Sequence, residues 1–230
     1  MCGISGIISK NKIEKNIIEP MTDKIIHRGP DGFGYYYGEK FVFGHRRLSI
    51  VDLSDAGHQP MQYLNRYVIT FNGEVYNHLE LRKELEKNGY VFQSHTDTEV
   101  IMASYDFWGA DCLSKFNGMW AFVIYDRLKD KYFMSRDRFG KKPFYYYKDQ
   151  EKFIFGSEIK VILAHPDVES QPNLEFLDSY VQNGAKEYIK ETAFENIFRF
   201  DFSSYFEGSL EDIFENFNQN KFWEIKPNLS

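Results

Sequence analysis

Two sets of strand-like runs, parted by one helical block, constrain this chain more than any other feature. "CGISGII" reads as a short buried strand beginning almost at the terminus. "PMTDKIIHRG" reads as a helix with Pro20 in its first turn and Gly29 just past its end. "FGYYYG", "KFVFGHRRL" and "RYVITFNG" follow at short intervals, separated by Gly and Asp/Asn punctuation. Then comes the helical block. "NHLELRKELEKNG" places Leu81 and Leu85 one turn apart and closes at Gly89. "HTDTEVIMASYDFWG" opens with Thr96-x-x-Glu99, the spacing of a capping box, and closes at Gly109. Strand character returns in "NGMWAFVIYD", "KYFMSRD", "KPFYYYK" and "KFIFGSE", spaced like successive antiparallel hairpins. Helices are expected at "SEIKVILAH" and "NLEFLDSYVQNG". Strands, a helical pair and strands again predict two antiparallel sheets with helices outside them, an α+β fold. From about Lys190 the chain turns rich in Phe, Asn and Glu without clear period, and is expected to leave the domain as a tail or linker.

Composition narrows the partners. An aromatic fraction of 18% favours a packed, strand-rich protein over disorder. A net charge of −6 opposes nucleic acid or an anionic membrane as the main partner. No apolar run approaches the length of about 18 residues needed to span a bilayer. "MCGISGIISKNK" has too short an apolar stretch and no basic flank ahead of it to be a signal peptide. The only cysteines, Cys2 and Cys112, offer no disulfide framework, which fits a cytoplasmic location, and Cys112 is expected to be a core thiol. The histidines form neither HExxH nor, with cysteine, a CxxC-type site, so no metal is expected.

Several residues carry potential chemistry. Removal of Met1 would leave Cys2 with a thiol and a free α-amine on one carbon, a nucleophile with its own base. Asn72 and Gly73 end an apolar strand; an Asn amide and a Gly N–H can converge on one oxyanion, and "NG" is equally a common hairpin turn. Arg47 in "HRRLS" could grip a carboxylate or lie on the surface, as Arg46 is expected to do. Asp97 could bind an ammonium or simply favour a helix N-terminus. Glu74 reads as a pocket acid or a surface strand acid. In "HRGPDG", Gly29-Pro30 makes a turn and Arg28 is expected to pair with Asp31. Arg136, Asp137 and Arg138 form an ion-pair network or a solvated cluster.

"MCGISGI", "HRGPDGFG", "GHRRLSIVDLS", "GHQPM", "TFNGEVYNHLELRKEL", "TDTEVIMASY", "NGMWAFVIYD", "SRDRFGKKPFYY" and "FGSEIK" occur in that order. Together they resemble the glutaminase domain of glutamine-dependent asparagine synthetases, N-terminal-nucleophile (class II) glutamine amidotransferases. The resemblance implies a four-layer αββα sandwich. It implies an amidotransferase domain over residues 2–165 and, over 166–230, a connector toward a synthetase domain in cis or trans. It implies Cys2 as nucleophile, Asn72 and Gly73 as oxyanion hole, and Arg47, Leu48, Ile50, Glu74 and Asp97 as the binding set for L-glutamine. "ETAFENIFRF…KFWEIKP" is similar to the connector, but "FRFDFSSYF" stands where relatives have a Leu-Pro-Pro-Gly-His turn. No Ser-Gly-Gly-x-Asp-Ser loop and no GxxxxGKS/T occurs, so ATP and Mg²⁺ are expected only in the synthetase part and no cofactor here. The resemblance leaves a homodimer open. It also leaves open an acceptor other than aspartate, such as a sugar or a secondary metabolite, and a truncated non-catalytic interaction module.

Overall fold

The β-branched and aromatic runs form strands, and the strands assort into two six-stranded antiparallel sheets. The computed structural model describes residues 1–49, 54–184 and 189–225. The first sheet runs, edge to edge, β10 (Ile197–Arg199), β8 (Tyr145–Lys148), β9 (Lys152–Gly156), β1 (Gly3–Ser9), β3 (Phe41–Arg47) and β2 (Gly32–Tyr37). The second runs β12 (Asn220–Lys221), β11 (Ser204–Gly208), β7 (Lys131–Arg136), β6 (Gly118–Asp126), β5 (Tyr67–Val75) and β4 (Met61–Tyr63). The helices are α1 (Ile18–Asp23), α2 (His78–Lys87), α3 (Asp97–Trp108), α4 (Cys112–Lys115), α5 (Ile159–Ile162), α6 (Leu174–Asn183) and α7 (Leu210–Glu215).

Strand alternation separates three apolar clusters, and these define four layers. Between the sheets lie Ile4 and Ile8 of β1, Phe41 and Phe43 of β3, Val68 of β5, and Ala121 and Val123 of β6. The opposite faces of β5 and β6, with Phe71 and Phe122, pack on α2, α3 and α4. The opposite faces of β1, β3 and β9, with Ile7, Val42 and Ile154, pack on α1 and α5. The result is the expected α+β sandwich of the αββα type. All seven residues of the central strand β1 are buried, Ser5 and Ser9 included.

Several local expectations hold in part. α6 forms as read and stops at Gly184, whose φ of +77° suits glycine. The Thr96 hydroxyl caps α3 by accepting from Glu99 N, but the reciprocal arm of the capping box is missing. The Glu99 carboxylate instead accepts from the N–H groups of Gln93 and Ser94.

The stretch expected to leave the domain instead completes both sheets. β10 pairs with β8, and β11 pairs with β7 from Ser204–Arg136 to Gly208–Tyr132. Phe200, Phe206 and Ile213 enter the inter-sheet core. These strands, three and five residues long, sit at or next to sheet edges, and such short runs carry too little alternation to read. Among the described residues, no helix is long and apolar enough to cross a membrane.

Candidate active site

One end of the inter-sheet space is polar. β1 begins there, and β3 and β5 end there. Phe41 and Phe43 point between the sheets, so His45 and Arg47, in the same row of β3, must do so too. Arg46 then points outward, toward α1, where it pairs with Asp23 and lies over the Phe33 ring. It is only 8% exposed, which corrects its expected surface position. On β5 the same rule turns Asn72 and Glu74 inward, behind Val68 and Thr70. Cys2 lies one residue before β1, in the row of Ile4 and Ile8. A cavity of about 190 Å³ lies among them, lined by Cys2, Arg47, Leu48, Asn72, Gly73, Glu74 and Asp97. Every expected site residue within the described chain therefore meets in one place. Ile50 lies outside the described residues. The volume falls below the roughly 300–1,000 Å³ of sites for drug-sized ligands and suits a small polar metabolite.

The thiol is held by backbone. Leu48 N donates to Cys2 Sγ (3.3 Å), and Sγ lies 3.5 Å from the Leu48 carbonyl. Arg28 Nε fixes the Cys2 carbonyl (2.9 Å), and Arg28 Nη1 pairs with Glu158 (3.2 Å). In place of the expected Arg28–Asp31 pair, Asp31 accepts from Ser49 N (2.9 Å). Burial raises the Cys2 pKa; the Leu48 bond and the charges of the terminal amine, Lys142 and Arg47 offset this in part. A thiol held above its ordinary value needs a base when it attacks.

The edge of β5 supplies donors. β4 pairs with β5 only from Met61–Ile69 to Tyr63–Tyr67, so β5 runs on without a neighbour on that side. Across β5, Gly73 faces Trp120. Trp120 directs its N–H to Asp137 Oδ2 (3.2 Å) and its carbonyl to Asp137 N (2.9 Å), both toward β7. The Gly73–Trp120 pair is thus of the non-hydrogen-bonded kind, and the Gly73 N–H points out over the cavity edge of β5. Its neighbours on that edge are occupied: Phe71 N donates to Gln59 Oε1 (2.7 Å) and Val75 N to Asp97 Oδ2 (2.8 Å). Only glycine fits at 73, because a Cβ would collide with the Met119 carbonyl and the Phe71 ring. The adjacent Asn72 side chain is 1% exposed, and neither its Nδ2 nor its Oδ1 finds a partner among the described residues. Two donors lining one buried polar pocket could serve a developing oxyanion.

Charges of both signs flank this centre. Arg47 is braced by Ser54 O (2.9 Å) and passes over Gly57, where a side chain would strike its guanidinium. Asp97, first residue of α3, is 5% exposed, and burial raises its pKa. A buried carboxylate with one oxygen committed to Val75 N favours a cation beside the other. Glu74 lines the cavity rather than the outer surface.

The sequence reading missed Gln59, Thr98 and Lys142, which line the same cavity. "GHQPM" and "GKKP" carried no local signal for this, since their placement depends on pairings remote in sequence. Among the described residues the Arg136–Arg138 cluster forms no ion-pair network; its members bind backbone groups instead. Arg136 donates to the carbonyls of Lys142, Phe200 and Gly140. Asp137 accepts from backbone N–H groups, and Arg138 donates to the carbonyl of Ser114. Cys112 is fully buried, as expected of a core thiol.

The cavity thus brings together a thiol, a buried amide without a partner among the described residues, and charged side chains of both signs. The family model described as a glutamine amidotransferase domain matches residues 1–223. The chain belongs to this family. It is 44% identical over 177 residues to asparagine synthetase [glutamine-hydrolyzing] 3 of Bacillus subtilis, covering 74% of this chain and 29% of that protein. To asparagine synthetase [glutamine-hydrolyzing] 2 of the same organism it is 37% identical over 222 residues, 91% of this chain and 29% of that one. To asparagine synthetase B of Escherichia coli it is 38% identical over 169 residues, 71% and 30% respectively. This amidotransferase domain thus spans about three-tenths of the length of these relatives. The solved glutamine phosphoribosylpyrophosphate amidotransferase of B. subtilis shares the fold, with a TM-score of 0.60 at 21% identity over 71% of this chain and 43% of that one.

Proposed function

We propose that this amidotransferase domain hydrolyses L-glutamine at Cys2 and passes the ammonia to an ATP-activated acceptor, aspartate, bound in a synthetase part in cis or trans. The observation that carries the hydrolytic half is the unpartnered Asn72 amide, buried beside Gly73 in the cavity that holds Cys2. The names of the relatives support the acceptor. ATP and Mg²⁺ belong, in this reading, to that synthetase part. Two unpaired cysteines fit a reducing cytoplasm.

Removal of Met1 frees the Cys2 α-amine, with an ordinary pKa of about 7.7–8.0. The amine takes the thiol proton as Sγ bonds to the side-chain amide carbon. The carbonyl oxygen gathers negative charge, and Asn72 Nδ2 and Gly73 N–H stabilise it. The C–N bond then breaks, and the proton held by the amine leaves on ammonia. Water attacks the thioester, restores the thiol and releases glutamate. Arg47 grips the α-carboxylate; Asp97 and Glu74 receive the α-ammonium; the Leu48 backbone aims the thiol.

The test is ammonia release, together with intact-mass analysis after treatment with a diazoketone analogue of glutamine. The expected product is a single adduct on Cys2 in a protein whose mass begins at Cys2. A folded, Met1-free protein that takes no adduct and releases no ammonia would sink the reading. Full activity with Met1 retained would require another base.

A further inference from the structure

Resting on the assignment of Asn72 and Gly73 as oxyanion donors, we infer that His45 and Gln59 are positioning residues that clamp Phe71 and thereby aim that pair. The register of β4 on β5 places residue 59 opposite Phe71, two positions beyond Met61–Ile69. β4 has stopped by then. Gln59 replaces the missing backbone acceptor with its side chain, Oε1 to Phe71 N at 2.7 Å. Its Nε2 is tied to Thr98 Oγ1 on α3 (3.4 Å). The Phe71 carbonyl would be the other orphan of this edge. It accepts from His45 Nε2 at 3.1 Å, from β3 of the opposite sheet. A carbonyl can only accept, so Nε2 carries the proton, and His45, fully buried, is the neutral imidazole. Both polar groups of one peptide residue are thus held by side chains from two different directions, immediately before Asn72.

Without the clamp, the anchors of this edge among the described residues are those at Val75, whose N–H donates to Asp97 and whose carbonyl meets His78 Nδ1. A slack edge would let the Gly73 N–H and the Asn72 amide drift by fractions of an ångström. Oxyanion donors act on the transition state and hardly at all on bound substrate, so the loss should appear in kcat and not in KM.

The experiment compares His45→Leu and Gln59→Met with His45→Gln, whose amide reproduces the Nε2 donor, and with wild type, in the full chain. Ammonia release is measured against glutamine concentration, and amide hydrogen exchange is followed over residues 69–75. The clamp predicts kcat down roughly 10- to 100-fold with KM within about two-fold for His45→Leu and Gln59→Met. It predicts faster exchange at Phe71–Gly73 in both, and recovery of both readouts in His45→Gln. Two variants on different elements guard against one failing to fold. Unchanged kcat and exchange in either folded variant overturns the inference, as does a loss that falls on KM. A wild-type chain that releases no ammonia overturns the glutaminase reading and the catalytic half of the clamp; exchange then decides the structural half alone.

Discussion

The turn at residues 136–142 and the mouth of the cavity are built from the same kinds of groups and treat them in opposite ways. In the turn, Asp137 accepts from the N–H groups of Trp120 (3.2 Å), Phe139 (3.1 Å), Lys141 (2.9 Å) and Lys142 (2.9 Å). Arg136 completes three backbone carbonyls. At the mouth, among the described residues, Asn72 keeps both amide atoms unpartnered, the Gly73 N–H points over an edge where no strand pairs, and the Cys2 thiol bonds only to Leu48. A buried polar group that the fold has satisfied stabilises the fold. One that the fold leaves open at a cost of about 1–3 kcal/mol is reserved for a ligand. The two regions also touch, because Asp137 turns the Trp120 backbone toward β7 and so leaves Gly73 facing the cavity.

The comparison breaks first at Cys2. Cys2→Ala should abolish glutamine hydrolysis, by at least about 10⁴-fold in kcat, because no other group forms the thioester. The melting temperature should stay within a few degrees, since among the described residues the thiol bonds only to the Leu48 backbone. Residual turnover near wild type would move the nucleophile elsewhere.

Asp137→Ala should do the reverse. Four N–H donors lose their acceptor around a residue that is 1% exposed, and a loss of about 3 kcal/mol or more is expected in denaturant unfolding. A variant as stable as wild type would show that water replaces the carboxylate and that the turn is not the rigid half of the pair.

Asn72→Ala sharpens the contrast inside the site. Loss of one oxyanion donor should lower kcat by roughly 10²- to 10³-fold. Stability should be unchanged or slightly higher, because two orphaned polar atoms leave a buried position. A fall in melting temperature with normal kcat would make Asn72 a structural residue of β5, where it pairs with Ala121, and not an oxyanion donor.

Alternation made much of this legible. "FVFGHRR" fixes Arg47 to the inner face once Phe41 and Phe43 are known to be core, and the same count sends Arg46 to α1. Asn72 and Gly73 were expected to end an apolar strand or form a hairpin turn; β5 instead carries them inside and runs on to Val75. The partners of Asp137 and Arg136 were not legible, because a backbone acceptor or donor leaves no trace in side-chain pattern. Gln59 required the β4–β5 register, and β10 and β11 were too short to show a period. Local chemistry could be read; long-range satisfaction could not.

The smallest expected effect tests whether a buried base belongs with the satisfied or the open groups. His45 commits Nε2 to Phe71, but Nδ1 has no partner among the described residues. Burial lowers its pKa to about 3; nearby His58 and Arg47 push the same way, and the Phe71 carbonyl opposes them. The unfolded chain binds this proton near pH 6.5. Between those values the unfolded state holds a proton that the folded state lacks, so His45 makes stability fall as pH falls. The slope for one such group is at most about 1.4 kcal/mol per pH unit. His45→Gln keeps the donor and removes the titration. Its unfolding free energy should therefore decline less steeply than wild type from pH 6 to pH 4, while the two run parallel above pH 7. Other groups with lowered values, such as His165 and Asp126, act in both proteins and cancel in the difference. Parallel acid limbs would show that His45 charges in place, through Nδ1, and that the imidazole belongs with the open groups of the cavity.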